Sequence, residues 1–188
     1  MCISFNFRKY IMNIFLTTVI VIVGFTAFSD SQISSNKDVE LDIVQLDCLA
    51  QNIYFEAGNQ SLEGMAAVAD VTLNRVQNSR YPDTICAVVK QGLKYADGTM
   101  KRNMCQFSWY CDGKSDKIST DNNKTWKNSQ EVAKTMLLEY NLSDKGSYSG
   151  ITSGSTHYHA TYVVPDWIHD RGMVRIKQIG SHIFYKFK

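Results

Sequence analysis

Residues 41–58 read LDIVQLDCLAQNIYFEAG. Leu41, Leu46, Leu49, Ala50, Ile53, Tyr54 and Ala57 recur at the interval that puts them on one face of an α-helix. Gly58 supplies a stop of the kind helices use at their C-terminal caps. Near the end of this apolar face stands Glu56, directly after Tyr54 and Phe55. An ionised carboxylate is costly to bury without a partner, so a glutamate here is solvated, paired, or held partly protonated for chemistry.

Downstream, a second helix is predicted from about Leu62 to Val76. Ser61 caps it, and Leu62, Met65, Ala66, Val68, Ala69, Leu73 and Val76 face a core that the alanines allow to pack closely. RYPDTICAVVKQG (80–92) reads as a turn, an Asp83 cap, a short helix and a terminating Gly92. From Leu93 to Thr125 no period is visible and Gly, Asp, Asn and Lys dominate, which predicts a long loop that is functional or disulfide-pinned. Residues 126–140 are helical again, with Trp126, Val132, Ala133, Met136, Leu137 and Tyr140 on one side. The C-terminal segment changes period: HYHATYV (157–163), MVRIKQI (173–179) and HIFYKF (182–187) alternate, and Gly180-Ser181 suits a two-residue hairpin turn. Ile183 and Tyr185 are expected to pack onto the helices. The fold class is therefore α+β, a mainly helical domain ending in a small antiparallel hairpin or sheet, and 188 residues suit one domain with a substantial core.

The first 29 residues differ in kind: Arg8 and Lys9 precede 18 uncharged residues from Ile11 to Phe28, and Ala27, Phe28 and Ser29 form a small-x-small site. This order is that of an export signal, cleaved or kept as a signal anchor. Residues 30–40 are polar and serine-rich, as in a linker, which leaves 41–188 as the functional domain. Export places the chain in the periplasm or cell envelope, touching the membrane only through its N-terminus. Cys2 leaves with the signal, so Cys48, Cys86, Cys105 and Cys111 remain. An even count outside the cytosol favours disulfides. Cys105 and Cys111 would close a short loop and leave Cys48 for Cys86, although three connectivities are formally possible and buried thiols are the alternative. The chain has 20 basic and 18 acidic residues, and removing the signal takes away only Arg8 and Lys9. A neutral domain has no bulk attraction to nucleic acid.

Several blocks, in order, carry a resemblance: NIYFEA (52–57), EGMAAVADVTLNRV (63–76), RYPDTICAVV (80–89), CQFSW (105–109), GSTHYHATYV (154–163) and IGSHIFY (179–185). Together they resemble the SleB-like cell-wall hydrolase family, the spore cortex-lytic type. The resemblance covers roughly residues 44–185. It implies a lysozyme-like, mainly helical domain that cleaves peptidoglycan between N-acetylmuramic acid and N-acetylglucosamine. It assigns the catalytic acid to the glutamate of the IYxEA motif, here Glu56; no metal or cofactor is expected. The chain is expected to act as a monomer.

The residue chemistry is compatible with that assignment. A glutamate beside aromatic side chains can have its pKa raised enough to protonate a leaving oxygen. Glycosidases normally add a second carboxylate, and none of Glu63, Asp70, Asp112 or Asp166 sits in a context that marks it. The resemblance implies a lytic transglycosylase, in which the muramic sugar's own hydroxyl attacks and one carboxyl serves as acid and then base. Candidates to line the sugar groove are Tyr54, Gln106, Ser108, Trp109, His157 and Tyr158, although Phe107 and Trp109 suit a core equally well. Thr156 and His159 would hold the strand. Two rival classes stand beside this reading. His157 and His159 share a strand face and, with Glu56 or His182, would make a zinc amidase that cuts the stem peptide. A glycan-binding module without turnover would keep the groove alone.

Overall fold

The structure, a computed structural model, describes residues 40–144 and 146–188. The expectations for the signal and most of the linker, residues 1–39, lie outside the described residues.

Helix α1, Ile43–Ala57, starts at Asp42, whose carboxylate accepts from the amides of Val44 at 2.9 Å and Gln45 at 3.2 Å. Gly58 ends it, as expected, in the right-handed region at φ −61°. Glycine is required there for space: a Cβ would run into the Tyr54 carbonyl and the Thr125 methyl. Helix α2, Leu62–Gln77, begins at Ser61, whose hydroxyl accepts from the Gly64 amide at 3.2 Å. Helix α3, Ile85–Val89, is capped by Thr84 and not by Asp83, because it is the Thr84 hydroxyl that the Ala87 amide reaches, at 3.3 Å. Gly92 does not terminate this helix but opens strand β1, Gly92–Lys94, which pairs antiparallel with β2, Met100–Cys105. This hairpin and the 3-10 turn Ser108–Cys111 occupy the stretch expected to be loop. Its strands are short and mostly exposed, so they carry no apolar alternation to read. Helix α4, Lys124–Leu142, follows its Asn123 cap. The chain closes with β3, His157–Ala160, a 3-10 turn Asp166–His169, β4, Met173–Ile179, and β5, His182–Phe187. These strands form an antiparallel sheet in the order β3-β5-β4.

Helix α2 is the spine. From Met65 to Arg75 every residue except Ala66 is buried, as expected of a helix covered on both sides. Met65, Val68, Ala69 and Leu73 join Leu49, Ile53, Val88, Met136 and Leu137 in the core between the helices. Ala67 and Val71 meet Ile179 and Phe184 of the sheet. The face of β5 turned to the helices is thus that of His182 and Phe184, one residue out of step with the expected Ile183 and Tyr185. Disulfides join Cys48 of α1 to Cys86 of α3, and Cys105 at the end of β2 to Cys111 in the 3-10 turn.

The polar side chains on α2 organise the approach to β3. The Asp70 carboxylate accepts from the Thr152 amide at 2.7 Å and hydroxyl at 2.6 Å. Asn74 donates to Thr152 Oγ1 at 3.2 Å and to the Ser155 carbonyl at 3.1 Å. Arg75 Nε donates to the Thr156 carbonyl at 2.8 Å, and Gln77 Nε2 to that of Tyr148 at 2.9 Å. Residues 148–156 are thereby stitched to one helix, which fixes where β3 begins. Gly150, at φ +53°, lies against the Asp70 carboxylate, in the space a Cβ would need.

Candidate active site

Glu56 sits in the last turn of α1, half-buried. The Tyr158 hydroxyl donates to Glu56 Oε2 at 2.8 Å. Burial raises the Glu56 pKa above the ordinary carboxylate value, and the Tyr158 hydrogen bond and the Arg75 charge oppose that rise without cancelling it. Glu56 is not ion-paired with Arg75, whose guanidinium lies over the rings of Phe107 and Tyr81, 4.9 and 5.3 Å from their centroids. The result is a carboxyl that retains its proton more readily than an exposed one and can give it to a bound oxygen.

Glu56 opens onto a cleft of about 540 Å³. Tyr54, Phe55, Gly58, Asn59 and Gln60 line it from the end of α1 and the turn after it, Thr125 from α4, and Ala160, Tyr162, Ser181 and His182 from the sheet end. No lysine or arginine is among these residues. Gln60 clasps the two sides. Its Oε1 accepts from the Ser181 hydroxyl at 2.8 Å and amide at 3.2 Å, and its Nε2 donates to Asn59 Oδ1 at 2.9 Å.

The residues singled out from sequence divide into four groups. Tyr54 lines the cleft, with its hydroxyl accepting from Asn123 Nδ2 at 3.3 Å; Tyr158, expected to line it too, is not among the lining residues and instead holds Glu56. Trp109 is a correction: it is 8% exposed and lies one layer behind the wall. Its ring stacks on Phe55 at 4.5 Å, and its Nε1 donates to buried Asn52 at 2.9 Å, so it supports the cleft without lining it. Phe107 is likewise core, at 1% exposure. Gln106 and Ser108 are exposed and absent from the cleft lining, because the Cys105–Cys111 bridge and the 3-10 turn carry them elsewhere on the surface.

His157 is a correction of another kind. Successive strand residues face opposite ways, so when Tyr158 turns to Glu56, His157 cannot. His157 packs instead against Trp167 and Phe187, each 5.4 Å away, and accepts or donates at Nδ1 with Thr156 Oγ1 at 2.9 Å. Burial and the nearby charges of Arg75 and Arg80 push its imidazole down to about 4. His159, on the same side, stacks on Tyr185 and shares a 3.0 Å hydrogen bond with its hydroxyl. The zinc set of Glu56 with His157 and His159 is therefore not assembled, and among the described residues no three His, Cys, Asp or Glu side chains converge as metal ligands. Of the possible second carboxylates, Asp70 is buried under the 150–156 loop, Asp112 pairs with Lys114 at 3.6 Å, and Glu63 and Asp166 are exposed. Glu56 is the only carboxylate lining the cleft among the described residues.

Sequence reasoning missed Asn59, Gln60, Thr125, Tyr162 and Ser181, and gave His182 only a possible metal role. The signal for Gln60 and Ser181 was local: both are polar residues in tight turns that the fold brings together across 121 positions. Tyr162 was masked by a strand pattern that in fact ends at Ala160.

The comparisons bear on this arrangement. The profile of the cell wall hydrolase family matches residues 59–185, beginning three positions after Glu56. A spore cortex-lytic enzyme of Bacillus subtilis (strain 168) is 27% identical over 150 residues, which is 80% of this chain and 38% of that protein. The chain thus spans well under half the length of this curated relative. Among solved structures, the catalytic domain of the germination-specific lytic transglycosylase SleB from Bacillus anthracis superposes with a TM-score of 0.52 at 24% identity, covering 78% of this chain and 97% of that domain. The catalytic domain of the Bacillus cereus SleB protein gives 0.53 at 21% identity, covering 83% and 100%. At these identities the two structures establish the fold: mainly helical, with small antiparallel sheets.

Proposed function

The chain belongs to the cell wall hydrolase family, and from that premise we propose that it is an exported muramidase-type enzyme that cuts the glycan of peptidoglycan by lytic transglycosylation, with Glu56 as its single acid and base. The observation that carries the reading is a carboxyl of raised pKa, held by Tyr158, in a cleft that offers no second carboxylate. Glu56 gives its proton to the oxygen linking N-acetylmuramic acid to N-acetylglucosamine as that bond breaks. The muramic sugar's own hydroxyl then attacks the electron-poor carbon, Glu56 takes the hydroxyl proton, and an anhydro ring closes. An attacking group already attached to the substrate needs no second carboxylate to activate water, which is why one suffices. The lining of tyrosine, amide and hydroxyl groups without basic side chains suits a sugar polymer better than a phosphate polymer. The two disulfides agree with an oxidising compartment outside the cytosol.

The deciding experiment is mass spectrometry of fragments released from purified peptidoglycan. Anhydro-muramic ends from the wild type, and a loss of release by on the order of 10³-fold or more in Glu56→Gln, are expected. Reducing ends would replace transglycosylation with hydrolysis. Freed stem peptides, sensitivity to chelators and residual activity in Glu56→Gln would mark an amidase, whereas binding without fragments would mark a module that only holds the glycan.

A further inference from the structure

Among the described residues, the large apolar side chain most exposed to water is Tyr162, at 86%, followed along the chain by Val163 at 43% and Val164 at 73%. The fold gains nothing from an aromatic ring standing in solvent. Isolated exposed apolar residues are ordinary, but this one lines the same cleft as Glu56. Its backbone is also held. The Val163 amide donates to the Ala160 carbonyl at 2.9 Å, closing a four-residue turn with Tyr162 in third place. The Thr161 amide donates to the Ser181 carbonyl at 2.8 Å, tying that turn to the β4–β5 hairpin. Ser181 is in turn clasped by Gln60. The ring is thus carried on a fixed rim beside amide and hydroxyl groups.

A pyranose ring presents an apolar face of C–H bonds and a periphery of hydroxyl groups. An exposed aromatic face next to Ser181 and Gln60 matches both surfaces. We propose that Tyr162 is a stacking platform for a pyranose ring of the glycan strand, forming a subsite at the rim of the Glu56 cleft. This rests on the reading of the cleft as a glycan site. A platform on fixed backbone binds without a large ordering cost and holds the ground state and the transition state alike, so its loss is felt in KM more than in kcat.

The test uses the full chain and insoluble purified peptidoglycan. Tyr162→Ala is expected to lower kcat/KM about tenfold, carried by KM, while Tyr162→Phe and Tyr162→Trp stay within about twofold of wild type. A second arm measures sedimentation with peptidoglycan in the Glu56→Gln background, where adding Tyr162→Ala weakens binding about tenfold. Values for Tyr162→Ala within twofold of its parent in both arms overturn the platform. If the wild type releases no fragments, the cleavage reading fails by itself, and sedimentation alone decides whether Tyr162 holds sugar.

Discussion

Glu56 is set between opposing influences, and the balance can be moved from one side. Burial favours its neutral form, whereas the Tyr158 hydroxyl and the Arg75 charge favour the anion. Removing the hydroxyl in Tyr158→Phe takes away a hydrogen bond to the anion and nothing from the desolvation, so the Glu56 pKa rises further. A proton donor works while protonated, and activity is lost as pH climbs through its pKa. The alkaline limb of the kcat/KM profile is therefore expected to move to higher pH in Tyr158→Phe. The carboxyl also loses its anchor, which lowers kcat by roughly 10- to 100-fold. An unshifted alkaline limb, measured as fragment release against pH, would remove Tyr158 from the role assigned to it. Arg75 contributes to the same balance from a costly position. It is 5% exposed, its Nη1 finds no partner, and its charge is held over two aromatic rings.

Helix α2 does at the level of elements what Tyr158 does for one side chain: it decides where the sheet stands. The sharpest probe is Gly150. Alanine there meets a left-handed φ of +53° and the Asp70 carboxylate together. Each is worth on the order of 1–3 kcal/mol, so urea unfolding of Gly150→Ala is expected to show a loss of about 2–6 kcal/mol. Serine at 150 would fare no better, whereas Gly146→Ala, in open space though also at positive φ, is expected to cost about 1 kcal/mol. Sequence periodicity revealed α1, α2 and α4 because each has a long apolar face against a common core. The β1–β2 hairpin escaped because its strands are short and wet. The parity of β5 was misread because both of its faces are apolar: Phe184 points to α2 while Tyr185 joins His159 and Trp167 on the other side. Glu56 was legible because a carboxylate on an apolar face is an anomaly needing a cause. The cleft wall opposite it was not, since Gln60, Tyr162 and Ser181 are ordinary polar or turn residues until tertiary structure gathers them.

At the scale of the whole molecule, the two bridges act on different parts. Cys48–Cys86 spans 38 residues and ties α1 to α3, and closing a loop of that length stabilises the native state by up to about 4 kcal/mol through the unfolded chain. Cys105–Cys111 spans six residues and mainly shapes the surface loop that seats Phe107 and Trp109 in the core. Paired replacement of Cys48 and Cys86 by alanine is expected to lower stability by roughly 2–4 kcal/mol in denaturant titrations, while replacement of Cys105 and Cys111 costs less. An equal cost for the two pairs would contradict this division. A further consequence belongs to the bond between Tyr158 and Glu56, whose partners are 102 positions apart. The group proposed to do the chemistry lies on the first described helix and is steered only by strand β3. A product clipped before β3 would retain much of its helical core yet carry a glutamate with no hydroxyl to steer it. On the proposed reading, such a product would be folded yet blunt.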